Sequence, residues 1–90
     1  MGYRVELTKQ AQKQLAALDK KTLALVAAFL DELDRCDNPR ALPNAKKLQG
    51  LQDGWRWRVG TYRILGTIDE GRVVIELFRI GHRRDVYRNV

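Results

Sequence analysis

Cysteine and histidine are almost absent from this chain, and each scarcity removes a class of protein. A single cysteine, Cys36, cannot close an internal disulfide and has no partner at metal-ligand spacing, so a disulfide scaffold and a zinc module are both excluded. That usage fits a reducing cytoplasm and reads Cys36 as an inert thiol. The one histidine, His82, cannot fill both acid and base roles in the manner of a two-histidine ribonuclease. No apolar run approaches the roughly 18 residues of a membrane span. Charges at Arg4 and Glu6 stand where a secretory signal needs its apolar stretch, which argues against export. The expected setting is the cytoplasm, away from membranes. Asp31, Glu32, Asp34 and Asp37 resemble a metal cluster only by count, because their spacing spreads them around a helix end as a solvated acidic face. No cofactor and no bound metal are expected.

What remains is the composition of an ordinary small globule, 44% hydrophobic and 31% charged over 90 residues, read as one domain spanning 1–90. The net charge of +6 is unevenly placed. Residues 1–45 carry 7 basic and 6 acidic groups, whereas residues 46–90 carry 10 and 5, and eight of those ten are arginines. Arginine keeps its charge and grips phosphate oxygens in pairs, so an arginine-rich half points to phosphate contact. An acidic protein partner is the other reading of the same charge.

The pattern of apolar residues orders the chain. Tyr3 to Leu7 reads as a strand running into Thr8, a helix N-cap. Ala11, Leu15 and Leu18 mark one amphipathic helix. A second, from Asp19–Thr22 to about Leu33, carries Leu23, Val26, Leu30 and Leu33, with Leu25 and Phe29 widening the stripe. Asn38-Pro39 and Pro43-Asn44 are turn signals. Trp55 to Val59 and Tyr62 to Ile68 alternate about Gly60-Thr61, a two-residue hairpin turn with glycine first, and a further turn leads into Val73 to Ile80. The order β-α-α-β-β-β predicts an α+β fold in which an αα-hairpin packs on one face of a small, largely antiparallel sheet.

A two-residue turn fixes the register, pairing Val59 with Tyr62, Arg58 with Arg63, Trp57 with Ile64 and Arg56 with Leu65. One face then carries Trp55, Trp57, Val59, Tyr62 and Ile64. The other carries Arg56, Arg58 and Arg63, with two like charges directly opposed, an arrangement that costs stability. An anion site for a phosphodiester explains that cost; neutralisation by Glu76, with the remaining arginines in water, is the structural alternative. Continuing the alternation places Val73, Ile75 and Leu77 on the tryptophan face and Val74, Glu76 and Phe78 with the arginines. His82 would keep facing the arginines if the strand persists. As the one imidazole of the chain it is a candidate acid or base.

Three segments together resemble the RelE branch of the RelE/ParE toxin superfamily: Lys47-Leu48-Gln49-Gly50-Leu51, Trp55 through Arg63, and Ile80-Gly81-His82-Arg83-Arg84-Asp85-Val86-Tyr87. The resemblance runs from Tyr3 to Arg88. It implies the toxin of a type II toxin–antitoxin pair, a monomer when free and a heteromer with its antitoxin, which enters the ribosomal A site and cuts mRNA there. It also implies catalytic roles for Arg56, Arg58, Arg63, Arg83 and Tyr87. The sequence departs from the family at the first two positions, often lysine, where arginine leaves almost no neutral form to act as a base.

Such cleavage needs the ribose 2′-OH aligned with its phosphate, charge on the phosphorane stabilised and the leaving oxygen protonated. Arg58, Arg63 and Arg83 suit the charge-stabilising task. Lys46, Lys47, Arg84, Lys9, Lys13, Lys20 and Lys21 are further candidates for phosphate contact. An acidic, partly disordered antitoxin is the expected partner, with the ribosome and mRNA. Two alternatives share the fold: a ParE-like module that binds DNA gyrase without RNA chemistry, and an inactive homologue that only binds antitoxin.

Overall fold

The computed structural model describes residues 2–83, so Arg84, Tyr87 and the rest of the C-terminal run lie outside the described residues. Strand β1, Arg4–Leu7, ends at Thr8, whose side chain accepts a hydrogen bond from the Ala11 amide at 3.2 Å and so caps helix α1, Lys9–Ala16. Asp19 caps α2, Lys20–Arg35, in the same way through the Thr22 amide. A single 3₁₀ turn, Pro39–Ala41, leads to β2, Ala45–Lys47. Strands β3, Gly54–Val59, β4, Tyr62–Asp69, and β5, Val74–His82, complete the elements of the described residues.

The five strands form one sheet in the order β1-β5-β4-β3-β2, antiparallel throughout except for β1, which runs parallel to β5. The α+β class is as expected from the sequence; β2 is an additional strand, and it places Lys46 opposite Arg56 and Lys47 opposite Trp55. Ala11 from α1 and Val26, Phe29 and Leu33 from α2 pack onto Trp57, Ile64, Ile68, Ile75, Leu77 and Ile80, so both helices cover one face. Leu25, expected on the buried stripe, is 55% exposed. Among the described residues no helix is long and apolar enough to cross a membrane.

The hairpin register is as the turn dictates, with Val59, Arg58, Trp57 and Arg56 opposite Tyr62, Arg63, Ile64 and Leu65. Gly60 sits at φ 60°, the left-handed value that a glycine-first turn requires. Beyond it the simple alternation fails once. Pairing steps from Leu65↔Arg79 to Gly66↔Leu77, one residue on β4 and two on β5, which leaves Phe78 as the extra residue of a β-bulge. Ile75 and Leu77 enter the core before the bulge, Ile80 after it, and Arg79 turns to the other face.

Two local corrections follow from hydrogen bonding. Val73, expected to begin the strand, occupies the preceding turn with φ 55°, and its carbonyl accepts the Arg4 amide at 3.0 Å. Because β1 ends opposite Leu77, the outer edge of β5 lacks a strand at Ile80, and Gln14 Oε1 accepts that amide at 2.7 Å instead.

Candidate functional site

Opposite the helices, the sheet carries its cations in rows set by register. Lys46, Arg56, Leu65 and Arg79 lie side by side across β2, β3, β4 and β5, and Arg58, Arg63 and Gly81 form the next row. Directly opposed residues of an antiparallel pair have Cβ atoms about 5 Å apart, so Arg58 and Arg63 are true neighbours. Leu65 is fully buried yet outside the helix-covered cluster; its row neighbours are Arg56 and Arg79, whose aliphatic stems are long enough to lie across it. Arg63 turns Nη1 back toward the hairpin, donating to the carbonyls of Tyr62 at 3.3 Å and Gly60 at 3.5 Å. The Arg83 amide donates to Thr61 O at 2.8 Å, which brings this exposed arginine beside the same hairpin. Among the described residues no carboxylate pairs with Arg56 or Arg58, so Glu76 does not neutralise either of them.

The bulge corrects one candidate and supplies another. Although β5 persists to His82, the extra residue reverses its facing: His82 pairs with Tyr62 on the core side, their rings edge to face with centroids 5.7 Å apart. His82 therefore leaves the arginine rows. Arg79, which strict alternation would bury, joins them. The signal was present in the sequence, since Leu77-Phe78-Arg79-Ile80 demands either a buried arginine or a bulge.

Lys9, Lys13, Lys20 and Lys21 are exposed on the helical side, and Lys47 faces away with Trp55, so these five do not assemble with the arginines; Lys46 does. Cys36 is half-buried, its thiol donates to Leu33 O, and burial pushes its pKa up, the environment of an unreactive thiol.

At the far end of the sheet from the Gly60 hairpin lies a second polar cluster that sequence spacing does not reveal. Arg40 Nη2 and Nε donate to Asp53 at 2.6 and 3.2 Å, and Nη1 pairs with Glu70. Tyr3 Oη donates to Glu70 at 2.8 Å, and Trp55 Nε1 to Asp53 at 3.0 Å. The Arg40 guanidinium holds the Asp53 carboxyl below its usual range, and hydrogen bonds from Tyr3 and then Arg40 do the same for Glu70. Both carboxylates thus bind protons less readily folded than unfolded. Their stabilisation is complete above the unfolded carboxylate range, about pH 4, and is lost as pH falls through the lower folded values. Melting temperature should therefore drop on acidification below about pH 4, and Arg40→Met should lower it by several degrees at pH 7 and flatten that drop. Parallel curves for both proteins, read by circular dichroism between pH 2 and 7, would remove the cluster from the account.

The chain is thus a small α+β domain whose mixed sheet has one helix-covered face and one cationic open face. A family model described as the ParE toxin of the type II toxin–antitoxin system parDE matches residues 5–87, and the chain belongs to that family. It is 34% identical over 89 residues to Toxin RelG of Mycobacterium tuberculosis, covering 98% of this chain and 99% of that protein. In structure it resembles the toxin–antitoxin complex RelBE2 of the same organism, with 30% identity and a TM-score of 0.76 over 92% of this chain and all of that one. It also resembles the archaeal RelE–RelB complex of Pyrococcus horikoshii, with 31% identity and a TM-score of 0.77 over 96% of this chain and all of that one. The protein is thus a type II toxin with a RelE-like structure.

Proposed function

We propose that this toxin is an endoribonuclease that cuts mRNA in the ribosomal A site, in the cytoplasm and without a bound metal. The observation that carries the reading is the assembly of Arg56, Arg58 and Arg63 in adjacent rows of one rigid sheet face, with Arg83 brought to the same hairpin. Charges fixed on strands need little reorganisation as a phosphorane forms, which is where such groups lower a barrier most. In the proposed step the 2′-oxygen bonds to phosphorus as its proton passes to solvent water, the P–O5′ bond breaks, and the leaving 5′-oxygen takes a proton from water. Permanently charged arginines stabilise the intermediate but do not remove the 2′-proton. Weak acid–base equipment makes the reaction depend on the ribosome presenting the codon in line. Tyr87, outside the described residues, is proposed to orient the 2′-OH or stack on a base.

An acidic, partly disordered antitoxin completes the proposal. One acidic segment covers the cationic face, and another, apolar and not acidic, takes the groove that Val5, Leu7, Ala27 and Leu30 line with Asp31 and Asp34 between β1 and α2. Added salt should weaken the first contact far more than the second.

The match to the ParE family model favours a second reading, binding to DNA gyrase without RNA chemistry. Two assays with the same purified toxin separate them: translation in a purified system, and supercoiling by gyrase. The nuclease reading expects translation to stop with mRNA cut and supercoiling to be unaffected; the reverse result selects the gyrase reading.

A further inference from the structure

Beside the arginine rows lies a groove of about 560 Å³, within the roughly 300–1,000 Å³ typical of small-ligand pockets. One wall is the segment before β3, and the floor is β4 and β5. Leu51 and Phe78 supply apolar surface, while Thr67, Glu76 and Gln49 offer hydrogen-bonding groups. Arg79 lines the same groove and belongs to the Lys46–Arg56–Leu65–Arg79 row, so the groove opens directly onto the cations.

Two features shape the groove. The bulge brings Phe78 and Arg79 to it together; without the extra residue Arg79 would point into the core. Gly54 admits the wall: a Cβ there would lie 2.8 Å from Leu51 Cδ2, so only glycine lets Leu51 settle over the sheet. That wall is held rather than loose. The Leu48 amide bonds to Gly54 O at 2.9 Å, the Gly54 amide to Leu51 O at 3.1 Å and the Ile68 amide to Asp53 O at 3.1 Å, while Arg40 clamps the Asp53 side chain. A preformed pocket loses little on binding.

We infer that this groove is a nucleobase subsite: a base of the bound RNA inserts between Leu51 and Phe78, its edge read by Thr67 and Glu76, while Arg79 and Arg56 hold the adjoining phosphate. The inference rests on the proposed RNA-cutting reading and adds where sequence preference arises. An apolar slot with polar groups at one side suits a flat base with donor and acceptor edges, and its cationic rim suits the phosphate attached to it. Glu76 disfavours a phosphate deep in the groove, which fixes the orientation with base inward and phosphate toward Arg79.

The probes are 2′-deoxy trinucleotides, which this chemistry cannot cut, differing in one base and titrated into ¹⁵N-labelled toxin. Amide shifts should appear at Gly50, Leu51, Thr67 and Phe78, with affinities about five- to tenfold apart between best and worst base. Thr67→Val should shrink that spread, and Phe78→Ala should weaken all probes about tenfold. If Phe78→Ala fails to fold, Leu51→Ser tests the opposite side of the same slot. On programmed ribosomes Thr67→Val should change the relative cleavage rates of a panel of A-site codons. Shifts confined to the arginine rows, equal affinity for all bases, or groove shifts produced by an acidic peptide and not by the trinucleotides would each overturn the subsite, even if cleavage is confirmed. Base-dependent binding in the groove with no cleavage on ribosomes would keep the subsite and overturn the nuclease reading.

Discussion

Arg63→Ala and Arg83→Ala should each lower single-turnover cleavage of ribosome-bound mRNA by about 100- to 1,000-fold, the usual cost of losing one donor to a developing anion. Folding should survive both. The fold uses Arg83 through its backbone amide, which bonds to Thr61 and is retained in alanine. Arg63 faces Arg58 across the hairpin, and removing one of two opposed like charges relieves repulsion. Its bonds to the Tyr62 and Gly60 carbonyls are long, at 3.3 and 3.5 Å. Circular dichroism spectra and thermal melts of both variants check that the fold is kept. Ribosome binding should weaken far less than cleavage, since Lys46, Arg56, Arg58 and Arg79 remain on the same face as the proposed phosphate contacts. Unchanged cleavage in both variants would move the active site elsewhere on the molecule.

Trp57→Ala should have the largest effect on stability. Trp57 is fully buried on the sheet's core face, between Ala45 and Ile64 in its row, and its Nε1 donates to Pro39 O at 3.0 Å. Gly66 leaves space for the ring: a Cβ there would lie 3.3 Å from Trp57 Cζ3 and 2.8 Å from Glu76 O. Removing the indole should cost about 3–5 kcal/mol through lost transfer energy and a residual cavity. For a domain this size, with total stability of about 5–15 kcal/mol, that is a fall of about 20 °C in melting temperature. Trp57→Phe keeps most of the packing and strips Pro39 O of its donor, for about 1–2 kcal/mol. Thermal melts of the two variants separate packing from hydrogen bonding; equal losses would show that packing is not what Trp57 chiefly supplies.

How far the fold was legible depends on whether a local signal carried the information. The hairpin register was readable because a glycine-first two-residue turn and strict alternation leave one pairing, and from that the Arg58–Arg63 opposition followed directly. Strand β2 was not, because Ala45-Lys46-Lys47 is too short to show a period and pairs only by lying along β3. The facing of His82 failed for a different reason. Alternation propagates any error to every later residue, so one bulge at Phe78 was enough to exchange His82 and Arg79 between faces. The Arg40 cluster joins residues up to 67 positions apart, which no periodicity can pair. Of the candidate site, the hairpin arginines are assembled as expected. Arg79 is an addition from the bulge, and Tyr87 and Arg84 lie outside the described residues.

The central claim, that a cationic sheet face without a strong base cuts mRNA by 2′-OH attack when the ribosome supplies the geometry, is tested most directly by end-group analysis. Toxin in excess is mixed with ribosomes programmed with one A-site codon, a single turnover is followed, and both fragments are analysed beside the same RNA free of ribosomes. The expected result is a 2′,3′-cyclic phosphate on the upstream fragment and a 5′-hydroxyl on the downstream one, with naked RNA cut far more slowly. A 3′-hydroxyl on the upstream fragment, or equally fast cleavage of naked RNA, would contradict it.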